Sequence, residues 1–186
     1  MFDAQVTAAA KEHALQEHPC ESVGAVWDNE YVPLENMSPK PEDSFRLDKY
    51  PEGASAIIHS HTRTRSLAPS YDDMVSQQQD DPTRVWGILS CNGRSCKGIE
   101  WFGDAAPVAP YVGRSFLSGS RDCWSLLRDI YRMELGIDTL PNLPRDDDWF
   151  RGTNPKDLLS RQNIEDSGFE RISAEELRPW DIVLGT

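Results

Sequence analysis

The apolar patterning of this 186-residue chain predicts an α/β or α+β domain over residues 1–104, a linker at 105–110 and a second segment at 111–186. Three observations carry that expectation. Helix, hairpin, strand, helix and hairpin patterns follow one another through residues 1–104. The apolar run Ala56-Ile57-Ile58 ends in His59-Ser60-His61, two histidines one residue apart. Ala105-Ala106-Pro107-Val108-Ala109-Pro110 is small, apolar and punctuated by proline, the composition of a stiff linker.

Over residues 3–17, Val6, Ala9, Ala10, Ala14 and Leu15 recur at helical spacing, so an amphipathic helix is expected, ended by Pro19. His13 and His18 read as exposed polar positions on or just past it. Residues 20–27 read as an apolar strand with Glu21 at its entrance. Asp28-Asn29-Glu30 turns the chain into a second strand at 31–37, making a hairpin. A Pro-rich loop at 38–42 precedes a short edge strand, Phe45-Arg46-Leu47, and residues 51–53 turn into a central strand at 54–60. A long loop then reaches Pro69 and a helix at 70–79. Ser70 suits its N-cap, and Asp72 and Asp73 in the first turn suit the helix dipole. Strands at 85–91 and 97–102 complete the domain.

Beyond the linker, Leu126, Leu127, Ile130 and Tyr131 form a helical apolar stripe closed by Gly136. A polar loop at 141–152, a short helix at 154–163 and a turn leading into an apolar strand at 181–184 follow. The cysteines are Cys20, Cys91, Cys96 and Cys123. Cys91 and Cys96 flank the turn-like segment 92–95 and can face each other across a hairpin. A reduced pair without a functional role is expected of a cytosolically made chain.

The net charge of −12 argues against nucleic acid or an anionic membrane as the main partner. No apolar run has the length of a membrane span, and the N-terminus lacks a signal-peptide profile, so the chain reads as soluble and made in the cytoplasm.

Residues i and i+2 of a strand share a face, so His59 and His61 project together from the strand end. An aspartate returned by the following helix completes a three-ligand set with an open fourth position. A hydrolytic zinc needs that arrangement. Glu21 is the candidate to take a proton from the zinc-bound water and pass it to a leaving amine. Ser70 offers a hydroxyl to the oxyanion of the tetrahedral intermediate.

Glu21-Ser22-Val23-Gly24, His59-Ser60-His61 and Ser70-Tyr71-Asp72-Asp73 together resemble the motif of the JAMM (MPN) zinc metallopeptidases. The resemblance covers residues 1–104. It implies an α/β fold with a curved sheet between helices, and zinc on His59, His61 and Asp73. Glu21 would be the general acid/base, Ser70 the oxyanion stabiliser, and peptide or isopeptide bonds the substrate. Thr62 stands where the family usually has proline. The loop from His61 to Ser70 is slightly longer than common, so Asp72 matches the commoner distance from the histidine. Asp73 keeps the stiffer Ser-x-x-Asp spacing and is preferred.

Asp122-Cys123-Trp124-Ser125 opens the helix of the second segment, a placement that lowers a thiol pKa. With Gly113, Arg114, Arg121, Gly168-Phe169 and residues 180–184, the segment resembles the front part of an NlpC-type (papain-like, α+β) cysteine peptidase domain with Cys123 as nucleophile. That family carries its catalytic His further along. No His follows His61 here, so the module reads as truncated before it or inactive.

A JAMM domain joined to an NlpC-type domain resembles the tail assembly proteins of lambda-like phages. The resemblance implies a virion tail-tip location, tail-tip and hub proteins as partners, and peptidoglycan peptides as a substrate. The competing expectation is a structural tail-tip component with inactive peptidase-like domains. A third is a cellular JAMM protein that removes ubiquitin-like modifiers, which the Cys123 module argues against.

Overall fold

The computed structural model describes residues 2–64, 66–81, 83–138, 140, 142–145 and 161–183. The chain forms α1 (Ala4–Glu17), β1 (Val23–Trp27), β2 (Glu30–Leu34), β3 (Ala56–His61), α2 (Tyr71–Gln79), β4 (Val85–Ser90), β5 (Glu100–Phe102), α3 (Cys123–Leu135) and α4 (Arg161–Asp166). The five strands make one mixed sheet in the order β2-β1-β3-β4-β5. β1 runs antiparallel to both β2 and β3, β4 parallel to β3, and β5 antiparallel to β4. The parallel pair requires a crossover, and α2 provides it.

β3 is buried at every residue, as a central strand covered on both faces must be. Val6, Ala10 and Ala14 of α1 pack with Val26, Tyr31, Ala56, Ile58 and Leu89 on one face. Val23, Ile57, Trp86, Ile88 and Phe102 meet Met74 of α2 on the other, with Phe45, Leu47, Tyr50 and Leu67 supplied by loops. The histidines that end β3 share the face of Ile57 and therefore lie beside α2.

Several sequence expectations change here. His13 is buried and its Nδ1 pairs with the Tyr31 hydroxyl at 2.9 Å. Burial pushes the His13 imidazole down and the Tyr31 phenol up. The Tyr31 ring lies over Gly24, where a Cβ would sit 2.3 Å from Cζ and Oη. Phe45-Arg46-Leu47 is not a strand. The Arg46 N–H donates to Asn36 Oδ1 (3.1 Å), and its carbonyl accepts from the Met37 N–H (2.8 Å). A side chain thus takes the place of a ladder partner, while Phe45 and Leu47 turn into the core. Cys91 and Cys96 are joined in a disulfide across an isolated antiparallel bridge, not a reduced pair. Asn92 Oδ1 accepts from the N–H groups of Arg94 and Ser95 (3.0 and 2.9 Å), tightening the turn that brings the sulfurs together. That turn delays the return strand, so β5 begins only at Glu100.

In the second segment, Asp122 caps α3 by accepting from the Ser125 N–H at 2.9 Å, and Gly136 closes it in the left-handed conformation. Residues 181–183 are irregular and not the expected strand, and Leu184 lies outside the described residues. So do most of the expected loop at 141–152 and helix at 154–163. α4 overlaps only the end of that helix. Among the described residues of this segment there is no strand.

Arg145 is fully buried with Asp122. Its Nε and Nη2 meet the two Asp122 oxygens at 2.6 and 2.9 Å, and Nη2 also donates to Ser125 Oγ and the Gly119 carbonyl. This two-point pairing holds the Asp122 carboxyl below its ordinary range although burial alone would raise it.

Two stability outcomes follow. Gly24→Ala forces a methyl into the Tyr31 ring and should cost about 1–3 kcal/mol in urea unfolding. Arg145→Met strands a buried carboxylate and should cost about 3–5 kcal/mol, with much of it regained in the double variant Asp122→Asn/Arg145→Met.

Candidate metal centre

The strand period aims His59 and His61 the same way, and their Nε2 atoms lie 3.2 Å apart. The third side chain comes from the start of α2. Ser70 and Asp73 form a reciprocal capping box. Ser70 Oγ accepts from the Asp73 N–H at 3.1 Å, while Asp73 Oδ2 accepts from the Ser70 N–H and hydroxyl at 2.8 and 2.7 Å. Those bonds fix the carboxylate. Its Oδ1 lies 3.2 Å from His59 Nε2, and Oδ2 3.2 Å from His61 Nε2. Asp73, not Asp72, meets the histidines; Asp72 is exposed.

All three side chains are buried, with ligand atoms within 4.8 Å of one another. Donors held about 2.0–2.1 Å from a tetrahedral zinc lie roughly 3.3 Å apart, close to the spacing here. The donor chemistry agrees. His61 Nδ1 is 3.0 Å from the Ser66 carbonyl, which places its proton there and leaves the Nε2 lone pair for a metal. His59 Nδ1 is buried without a hydrogen-bond partner among the described residues, and its ring packs against Phe45 with centroids 4.6 Å apart. Two nitrogens and a carboxylate suit a divalent transition metal such as zinc or iron.

Burial lowers the His59 imidazole further than Asp73 can raise it. For His61 the balance reverses. Burial is outweighed by the hydrogen bond and charge of Asp73, with Glu21 and the Ser66 carbonyl adding to them, so its pKa rises. Asp73 is held well below the carboxylate range, because the two imidazoles overcome its own desolvation.

Glu21 reaches the cluster through the sheet register. Val23 pairs with His59 in the antiparallel β1–β3 ladder, so the chain two residues earlier runs beside His61. The Glu21 N–H donates to the Pro41 carbonyl (2.6 Å), and Asn36 Nδ2 donates to the Glu21 carbonyl (2.8 Å). Burial pushes the Glu21 carboxyl up to about 7, tempered by His61 and reinforced by the nearby Asp73 and Asp43 charges. Ser70 is exposed at the rim, its hydroxyl given to Asp73.

Sequence reasoning missed Thr62 and Ser66. Thr62 Oγ1 donates to the carbonyls of Pro19 (2.9 Å) and Glu42 (3.2 Å), tying the exit of β3 to the two segments that seat Glu21. The hydroxyl side chain directly after His61 was the available signal. Ser66 acts through its backbone, for which a sequence carries no sign.

Cys123 is the first residue of α3 and exposed. Its thiol is pushed up, not down, by partial burial and then by the adjoining Asp122 carboxylate. The expected lowering by the helix N-terminus is overridden first by burial and then by the Asp122 carboxylate. All four histidines precede residue 62, and two of them hold Asp73.

No family model matches the chain, and no solved structure matches it. Two curated relatives do. Tail tip assembly protein K of Escherichia phage lambda is 31% identical over 146 residues, covering 77% of this chain and 64% of that protein. Tail tip assembly protein K of Escherichia phage N15 is 28% identical over 158 residues, covering 79% and 62%. The chain thus spans just under two thirds of the length of these relatives.

Protein purified without chelators should carry about one zinc per chain by inductively coupled plasma mass spectrometry. His59→Ala and Asp73→Ala should lose the metal, and Asp72→Ala should keep it. Metal retained in Asp73→Ala would remove Asp73 from the ligand set.

Proposed function

We propose that this chain takes part in building a phage tail tip, and that residues 1–104 hydrolyse peptide or isopeptide bonds with zinc on His59, His61 and Asp73. One observation carries the chemical half of this reading: three ligand-type side chains from β3 and α2 converge in a buried cluster beside a carboxyl tuned to about 7. The tail half is supported by the two relatives, both named for tail tip assembly, whose similarity reaches across most of the chain.

Bound zinc would supply an activated water and polarise the scissile carbonyl. The chain's own residues do the rest. Glu21 takes a proton and returns it to the leaving amine, a task suited to a group that titrates near neutrality. The Ser70 hydroxyl, at the exposed rim, turns from Asp73 to the developing oxyanion. Ser66 holds the His61 tautomer, and Phe45 keeps water from the His59 ring. The substrate is a peptide segment of a tail protein or a cell-wall peptide.

The second segment is assigned a structural role. Its thiol is raised by partial burial and by the adjoining Asp122 carboxylate, which disfavours the thiolate that a cysteine nucleophile needs.

The reading is tested with zinc-loaded full chain on isolated tail-tip proteins and purified cell wall. Glu21→Gln should retain zinc yet lower the hydrolysis rate by about 10²–10⁴-fold. The wild-type rate should climb with pH as the Glu21 carboxyl, raised by burial, loses its proton to act as base. A chain that binds zinc but cleaves neither material would leave the cluster a structural metal site in a tail component.

A further inference from the structure

We infer that the second segment is a brace that sets the position of the ligand-bearing helix α2, with Gly119 as its point of contact. Gly119 has φ +80, and a Cβ there would meet Pro69 Cγ at 2.7 Å and Met74 Sδ at 3.3 Å. Pro69, which is buried, immediately precedes Ser70, and Met74 immediately follows Asp73. The contact therefore straddles the capping box that aims Asp73 at the histidines.

Gly119 is itself clamped. Its N–H donates to Asp122 Oδ2 at 2.9 Å, and its carbonyl accepts from Arg145 Nη2 at 3.0 Å. The buried Asp122–Arg145 pair thus stands behind the contact, and Arg145 Nη1 carries it on to the Leu143 carbonyl at 2.8 Å. The other end of α2 is gripped too, since Gln78 Nε2 donates to the Asn142 carbonyl. Four further residues of the segment are pinned to the sheet edge. Ser120 Oγ and Arg121 Nε both reach Glu100 Oε1 of β5 (2.8 and 2.9 Å). Arg128 and Arg132 reach the side chain and carbonyl of Asp104 (2.9 and 2.6 Å). A rigid body fixed to β5 and touching α2 at both ends determines where α2 sits against β3. Metal sites tolerate ligand displacements of only about 0.2 Å, so the brace acts on metal affinity. Gly119, Asp122 and Arg145 are positioning residues. The consequence for zinc rests on the metallopeptidase reading; the placement of α2 does not.

Gly113 provides the control. It has φ +76, and a Cβ there would meet nothing within 4 Å, so alanine at this position brings the same backbone strain without the contact. Zinc affinity is measured on the full chain by competition with a chromophoric chelator. Amide hydrogen exchange of Asp73 and Met74 is measured on the metal-free protein. Gly119→Ala should weaken zinc about tenfold and speed exchange at both amides by about tenfold, while Gly113→Ala leaves both at wild-type values. Pro69→Ala combined with Gly119→Ala removes the ring atom at 2.7 Å that the new methyl meets most closely, leaving Met74 Sδ at 3.3 Å, and should restore most of each effect. Should Gly119→Ala not fold, Pro69→Ala alone, which opens a gap at the same contact, should move both readouts in the same direction. Equal effects from the two glycine variants, or no effect from either, would overturn the brace; faster exchange with unchanged zinc affinity would keep the placement of α2 and overturn its effect on metal affinity. If the wild-type chain binds no zinc, the metallopeptidase reading falls, and exchange at Asp73 and Met74 alone decides the placement of α2.

Discussion

A single carboxylate, Asp73, joins local folding to the chemistry of the site. A charge taken out of water costs several kcal/mol unless it is paired and hydrogen-bonded. Asp73 is buried, so its oxygens must be satisfied. Two donors come from Ser70, which also starts α2, and the others are the imidazoles of β3. The bonds that nucleate the helix therefore point its carboxylate at the strand. With no cation beside it, this arrangement favours a proton on His61.

Asp122 offers an instructive contrast. It too is a buried carboxylate in the first turn of a helix, but it is the N-cap itself and accepts from the Ser125 N–H three residues on, whereas Asp73 accepts back from the N-cap Ser70. The partner of Asp122, however, is the guanidinium of Arg145, whose planar fork meets both oxygens and leaves no open position. A first-turn carboxylate thus faces two imidazoles in one helix and makes a closed structural joint in the other. The joint has a chemical side effect: an ionised Asp122 sits beside Cys123 and opposes thiolate formation. What makes α3 firm makes its thiol a poorer nucleophile.

The two halves of the chain meet mainly through polar groups. Glu100 and Asp104, at and just beyond β5, receive Ser120, Arg121, Arg128 and Arg132, while Gly119 gives backbone a close approach to Pro69 and Met74. A side chain at Gly119 would hold the halves apart. This explains a left-handed glycine at that point.

Local rules were enough for much of this. Strand periodicity placed His59 and His61 on one face, Ser-x-x-Asp spacing marked the start of α2, and the apolar stripe with Gly136 bounded α3. Each depends on backbone geometry within a few residues, which sequence encodes directly. The rest depended on partners far apart along the chain. The burial of His13 needed Tyr31 across the α1–sheet interface. The loop at Phe45 needed the Asn36 side chain to replace a strand. The choice of Asp73 over Asp72 was legible from the Ser-x-x-Asp spacing, but the pairing of Asp122 needed Arg145, 23 residues away. Sequence by itself determined the elements and the kinds of side chain at their ends. Tertiary structure decided which of those ends meet, because desolvation and charge pairing act through space and follow no period along the chain.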